Sequence, residues 1–301
     1  MKEVILGQTI GMIGIGIMGS AMSANLLKDG FEVIGYDILP ERVGILKQQG
    51  GVSAASCRDV AEAADVIITS LPSVPALEAA VAGENGLVSA SPRGLTVIET
   101  STLPLDAKLK ARDTLENAGI HLLDCPLSGT GAQAVHKDLA VLASGEPELC
   151  KKCRPVFDGF ARVNYYVGEF GMGSKMKFIA NLLVTIHNVS AAEAFVLGKK
   201  AGIDPEMIYK VISDGAGTSR MFEVRGPLMV TGQYDEATMK MRIFQKDIDT
   251  ITDFAAGLAC PTPLFSASSE IYAKALADGR DKQDTAAVCA VLEEMAGINP
   301  K

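Results

Sequence analysis

The run Gly14-Ile15-Gly16-Ile17-Met18-Gly19 constrains this chain more than any other stretch. It stands directly between an apolar strand pattern at 9–13 and a helical pattern that continues to residue 28. So short a passage from strand to helix needs residues without side chains, which turn sharply and let backbone approach backbone. Gly14 suits the tight turn, Gly16 leaves room for a ligand, and Gly19 allows close packing of helix on strand. Such a turn aims the unpaired N–H groups of a helix start at an anion, a pyrophosphate above all. A second strand pattern at 32–36 ends in Tyr36-Asp37. An acid there accepts hydrogen bonds from ribose hydroxyls and repels a 2′-phosphate. The expected cofactor is NAD, with NADP as the second choice because Arg42 stands close by. Gly14, Gly16, Ile17, Met18, Gly19 and Asp37 are the candidate cofactor-binding residues of this segment.

Further strand patterns at 66–70, 96–99, 121–124, 139–143 and 163–167 alternate with helical stretches such as 40–48, 75–81 and 104–118. Near-continuous apolar strands separated by helices predict a mainly parallel sheet covered on both faces. The pattern changes after Gly168. Residues 172–201 are helix-forming and free of proline. The remainder keeps a helical period to Met295, with Pro205, Pro227, Pro261 and Pro263 expected to separate its helices. The fold class expected is α/β: a Rossmann-type, mainly parallel sheet domain over 1–168, then an all-α domain over 169–301. A long interdomain helix joins them. The length, 301 residues, suits two domains.

The formal charge of −8, with no cluster of Lys and Arg, argues against nucleic acid as a partner. No run of ~18 uninterrupted apolar residues predicts a membrane span. The first residues show no secretory pattern, so a cytoplasmic protein is expected. The six cysteines are scattered and do not form a disulfide framework. Cys150 and Cys153 lack a second ligand pair, and His121, His136 and His187 lack one at metal spacing, so no metal is expected.

Two more segments carry chemistry. Asp124-Cys125-Pro126-Leu127-Ser128-Gly129-Thr130-Gly131 follows a strand pattern, where sheets of this kind bind ligands. Ser128 offers a hydroxyl, and the backbone around Gly129 offers N–H groups suited to a carboxylate. The same residues also make an ordinary turn. At the head of the long helix, Lys177 and Asn181 share a face, continued by Val184 and Asn188. Polar groups on so apolar a helix are costly to bury without a purpose. A desolvated lysine there has its pKa lowered toward the range useful for proton transfer. The alternative is a solvated stripe in which Lys175 and Lys177 both face water.

These segments, taken in order, resemble the β-hydroxyacid dehydrogenase family, which includes 3-hydroxyisobutyrate dehydrogenase and tartronate semialdehyde reductase. The pattern G-x-G-x-x-G-x-x-M-x-x-N-L matches Gly14 through Asn25 and Leu26. The family's D-x-P-x-S-G-G loop appears as Asp124 to Thr130. Its G-x-G-x-x-x-K-x-x-x-N motif matches Gly171, Gly173, Lys177 and Asn181, and a late K-D pair matches Lys246-Asp247. The resemblance implies hydride transfer between a nicotinamide and a small hydroxy acid. It makes Lys177 the general acid/base, and Asn181 the residue that holds the substrate oxygen. Ser128 and Gly129 would bind the carboxylate. Leu71, Pro72, Thr102 and Lys246 would line the cofactor.

Two departures bear on the substrate. Thr130 replaces the second glycine of S-G-G and adds a side chain beside the carboxylate site. Ala180 replaces an asparagine often found before Asn181. Arg220 falls where the family's helical domain approaches substrate, so it is a candidate clamp for a second anionic group, against a plain surface ion pair. The family's habit of packing helical domains together implies a homodimer or homotetramer. A rival of another class is a non-catalytic dinucleotide-binding or oligomerisation module, but members that lose catalysis lose the lysine.

Overall fold

The computed structural model describes residues 8–90 and 94–298. The opening seven residues, from which the absence of a secretory signal is inferred, lie outside them. Two compact units divide the chain, Met1–Lys177 and Phe178–Lys301.

The first unit is a sheet wrapped in helices. Its elements are β1 (Thr9–Ile13), α1 (Ile17–Lys28), β2 (Glu32–Tyr36), α2 (Pro40–Gln48), β3 (Val52–Ser53), α3 (Cys57–Ala63), β4 (Val66–Thr69) and α4 (Val74–Ala82). Next come β5 (Thr96–Glu99), α5 (Leu105–Glu116), β6 (His121–Asp124), β7 (Leu127–Ser128), α6 (Gly131–Val135), β8 (Ala140–Ser144), α7 (Pro147–Lys152), α8 (Arg154–Phe160) and β9 (Val163–Gly168). The sheet runs β3-β2-β1-β4-β5-β6-β8-β7, with β9 also paired to β8. From β3 through β6 every pairing is parallel. Strands β4 and β5 are buried along their whole length, which is why they read as runs of Val, Ile and Thr, broken only by Glu99 at the end of β5.

The winding starts at β1, proceeds outward to β3, then returns to β4 on the other side of β1. That reversal opens a crevice at the carboxyl ends of β1 and β4, the place where such sheets bind ligands. The far edge departs from parallel pairing. Strand β8 runs antiparallel to β6 and β7 and parallel to β9. Two apolar cores fill the unit. One holds Ile10, Met12, Leu26 and Phe157; the other holds Ile67, Leu77, Leu95 and Leu115.

Helix α9 (Met172–Lys200) begins in the first unit and runs on into the second. There it is followed by α10 (Pro205–Ser213), α11 (Arg220–Thr231), α12 (Met241–Gly257), α13 (Pro263–Ala277) and α14 (Val288–Met295). Prolines 205 and 263 sit at helix starts, where a missing N–H costs nothing. Pro227 differs from the expected breaker: α11 runs straight through it. The carbonyl that Pro227 leaves without its helical partner is that of Glu223, and the Tyr209 hydroxyl of α10 donates to it at 3.0 Å. The core of this unit joins Phe178, Phe195, Phe222, Phe244 and Tyr272, with Phe195 and Phe222 stacked at 5.2 Å.

By length and composition alone α9 could cross a membrane. Its buried polar groups give it another purpose. The Asn188 amide donates to the Tyr272 hydroxyl and to the Thr285 carbonyl, both at 2.8 Å, which ties α9 to other parts of the second unit.

Candidate active site

The three glycines of the first loop are needed for three different reasons. Gly14 has a φ of +88°, a left-handed backbone that a side chain strains, and a Cβ there would lie 2.3 Å from the Ser70 carbonyl oxygen. A Cβ on Gly19 would lie 2.0 Å from the Gly14 carbonyl oxygen. Gly16 instead faces open space, with nothing within 4 Å of its would-be Cβ. Helix α1 starts there with no side chain capping it, so the first N–H groups at Ile17 and Met18 remain available to an anion.

Asp37, just past β2, is tied to this loop. One carboxylate oxygen accepts the Ile15 N–H at 2.7 Å and the other accepts the Leu39 N–H at 2.9 Å. A carboxylate has about four lone-pair positions, so capacity for ribose hydroxyls remains. Leu71 and Pro72 follow β4, and the Leu71 N–H donates to the Ser101 hydroxyl at 2.8 Å. This bond joins the loop after β4 to the loop after β5 that carries Thr102.

Ser128 lies in β7, half-buried, and Gly129 follows with a φ of +135°. Thr130 has a use that the sequence does not reveal. Its hydroxyl accepts the Gln133 N–H while its own N–H donates to the Gln133 side chain, closing a capping box at the start of α6. Cys125, in the same segment, is fully buried. Burial and the neighbouring Cys150 push its thiol well above the ordinary value, which leaves no reactive thiolate.

Lys177 and Asn181 stand one turn apart on α9, the lysine half-buried and the asparagine buried. The Asn181 amide NH2 donates to the Asp247 carboxylate at 2.8 Å, and Lys246 contacts the other oxygen of Asp247 at 3.2 Å. Because a carboxylate only accepts, this bond fixes which way the amide points. The carbonyl oxygen and the second N–H of Asn181 are then turned elsewhere. Arg220 opens α11 with an exposed side chain and pairs with Glu223 at 3.1 Å.

The N-terminus of α9 is not a vacant anion site. Its first three N–H groups, which have no partner within the helix, all find one outside it: Met172 donates to the Glu169 carbonyl, Gly173 to the Ser144 hydroxyl, and Ser174 to the Asp124 carboxylate. Of these two helix starts, α1 is thus open and α9 closed.

Two family models match the chain. The NAD binding domain of 6-phosphogluconate dehydrogenase matches residues 9–168, and the NAD-binding family of NADP-dependent 3-hydroxyisobutyrate dehydrogenase matches 171–292. The chain belongs to the β-hydroxyacid dehydrogenase family. An L-threonate dehydrogenase of Cupriavidus necator is 34% identical over 94% of this chain and 95% of its own. A 2-hydroxy-3-oxopropionate reductase of Escherichia coli is 31% identical over 95% of this chain and 98% of its own. Among solved structures, a 3-hydroxyisobutyrate dehydrogenase from Salmonella typhimurium superposes with a TM-score of 0.86 at 29% identity, covering 94% of this chain and 99% of that one. As a member of this family the chain is an NAD(P)-dependent oxidoreductase. A dinucleotide fits the residues present, since the open space at Gly16 is where a Cβ would obstruct a phosphate.

Proposed function

We propose that this protein oxidises a small hydroxy acid, or reduces the matching carbonyl acid, with Lys177 as general acid/base and NAD as the preferred cofactor. Residues 1–168 serve as the cofactor domain and 169–301 as the substrate and oligomerisation domain. The observation that carries the reading is the face of α9, where Lys177 stands one turn from an asparagine whose amide is oriented by Asp247. A bound nicotinamide supplies or accepts the hydride. Lys177 takes the substrate hydroxyl proton in oxidation and returns it in reduction, so no full alkoxide develops. Asn181 holds the oxygen that gains or loses that proton. Ser128 and the N–H groups near Gly129 bind the carboxylate. Ile17, Met18 and the glycines hold the pyrophosphate, Asp37 the ribose, and Leu71, Pro72, Thr102 and Lys246 the rest of the cofactor.

The substrate class follows from the relatives, which act on L-threonate and on 2-hydroxy-3-oxopropionate. We assign a 3-hydroxyisobutyrate-like or 2-hydroxy-3-oxopropionate-like acid, with threonate in the same panel. Five of six cysteines are buried and all are free, which suits a reducing cytoplasm.

The test is a panel of 2- and 3-hydroxy acids with NAD and NADP, followed by absorbance of the reduced cofactor. Turnover on at least one acid is expected. Lys177→Ala is expected to lose ~10²–10⁴ in kcat and still bind NAD, the range typical of a lost general acid/base. Near-unmutated turnover in that variant rejects the assignment. Cofactor binding without turnover on any acid would favour a non-catalytic dinucleotide-binding module.

A further inference from the structure

Lys108 of α5 is wholly enclosed, with 0% side-chain exposure, and so are the two carboxylates against it. Its ammonium lies 2.6 Å from Glu99 at the end of β5 and 2.7 Å from Asp124 at the end of β6. Burial alone lowers the pKa of this lysine, but Asp124 and Glu99 outweigh that and hold it above its ordinary value. The cluster thus sets one ammonium between two buried carboxylates, and further donors reach both acids. The Asp124 carboxylate accepts from the Ser174 hydroxyl and the Ser174 N–H, both at 2.8 Å, and its main-chain carbonyl accepts from the Ser144 hydroxyl at 2.9 Å. The other oxygen of Glu99 accepts the Ser101 N–H at 2.9 Å.

Buried ion clusters seldom add stability over well-packed apolar residues, so their presence calls for another account. The connections supply one. On one side Glu99 holds the loop of Thr100, Ser101 and Thr102. On the other, Asp124 holds the first turn of α9, three residues before Lys177, about 4.5 Å along the axis. That turn contains Gly173 and follows Gly171, so its own helix propensity is weak. It also has no room to shift inward: a Cβ on Gly173 would lie 2.5 Å from the Leu142 carbonyl oxygen. The direction in which Lys177 projects is thus set by tertiary bonds.

We propose that Lys108 is a positioning residue: through Glu99 and Asp124 it fixes the spacing between the Thr102 loop and the first turn of the Lys177 helix. It touches neither substrate nor cofactor. Its effect is to hold the proton-transferring group in register with the hydride-transferring one, and the inference rests on the reading of Lys177 as acid/base.

The test is Lys108→Met, which keeps the length and removes the charge, in the full chain. A misplacement of about 1 Å at the reacting groups costs on the order of 10²-fold, so kcat is expected to fall ~10–100-fold. The KM for NAD and its dissociation constant are expected to change less than kcat, because the α1 loop and Asp37 lie outside the cluster. On a Lys177→Ala background the same substitution is expected to cost nothing further, since there is no acid/base left to misplace. An unchanged kcat overturns the proposal, as does an equal loss on both backgrounds. Should Lys108→Met fail to fold, Ser174→Ala decides: it removes one donor to Asp124 and is expected to lower kcat ~10-fold with the same split. An unchanged kcat in Ser174→Ala then overturns the proposal. If Lys177→Ala itself keeps full turnover, the acid/base reading fails first, and that outcome is distinct from the others.

Discussion

Asp37 does two things at once. Its carboxylate is held by the Ile15 and Leu39 N–H groups, and in the proposed reading it faces the ribose and repels a 2′-phosphate. Asp37→Ala is therefore expected to narrow the preference for NAD over NADP, and to weaken NAD binding itself by ~10-fold as one charge-assisted bond to ribose and one to the loop are lost. Titration of both cofactors against both proteins checks this; a clear NADP preference in the unmutated protein rejects it. Single residues differ in how far the sequence declares them. The glycines are legible because a strand passes into a helix within so few residues only where side chains are missing. Lys108 is hidden, although it shares a face of α5 with Ala111 and Leu115, both buried. A lysine on an apolar face is the visible signal, but the acids that balance it sit at the ends of the two strands flanking α5, and only the folded sheet brings them together.

At the scale of elements, the contrast between Gly16 and Gly19 gives a paired prediction. Gly19→Ala forces a methyl group against the Gly14 carbonyl and is expected to cost ~1–3 kcal/mol, read as a lower denaturant midpoint. Gly16→Ala fills open space and is expected to leave that midpoint nearly unchanged while abolishing most NAD binding. Equal destabilisation by both would contradict the distinct roles assigned to them. Most of the sheet is readable in advance because buried parallel strands are continuous apolar runs, as in Val66–Thr69. The two residues of Val52–Ser53 and the short helices Pro147–Lys152 and Arg154–Phe160 are too brief to establish a period. Pro227 reads as a breaker because the hydroxyl that rescues its turn comes from another helix. The capping box at Thr130 is written in Thr-x-x-Gln, yet beside a ligand-type loop that signal competes with a pocket.

At the scale of the molecule, the second unit carries large exposed apolar side chains on three of its helices. Ile179 and Leu183 on α9, Met207 and Val211 on α10, and Met295 on α14 are all exposed, and Leu197 is 73% exposed. A groove between α9 and α14, lined by Val196, Leu197, Leu292 and Met295, adds to this surface. We propose a second copy of the chain as its occupant, giving a homodimer or homotetramer. Leu197→Asp is expected to weaken self-association by at least ~10-fold, seen by sedimentation at micromolar concentration, because a charge would have to be desolvated at the contact. A monomer before mutation would overturn the assignment. One structural member also limits how such a protein can be taken apart. The helix whose first turn is bonded to Asp124 supplies, further along, Phe178 and Phe195 to the aromatic core of the other unit. Cut between Phe178 and Phe195, it strips the second unit of part of its aromatic core. Any recombination between relatives that keeps this core whole carries the segment from Phe178 onward as a single inheritance.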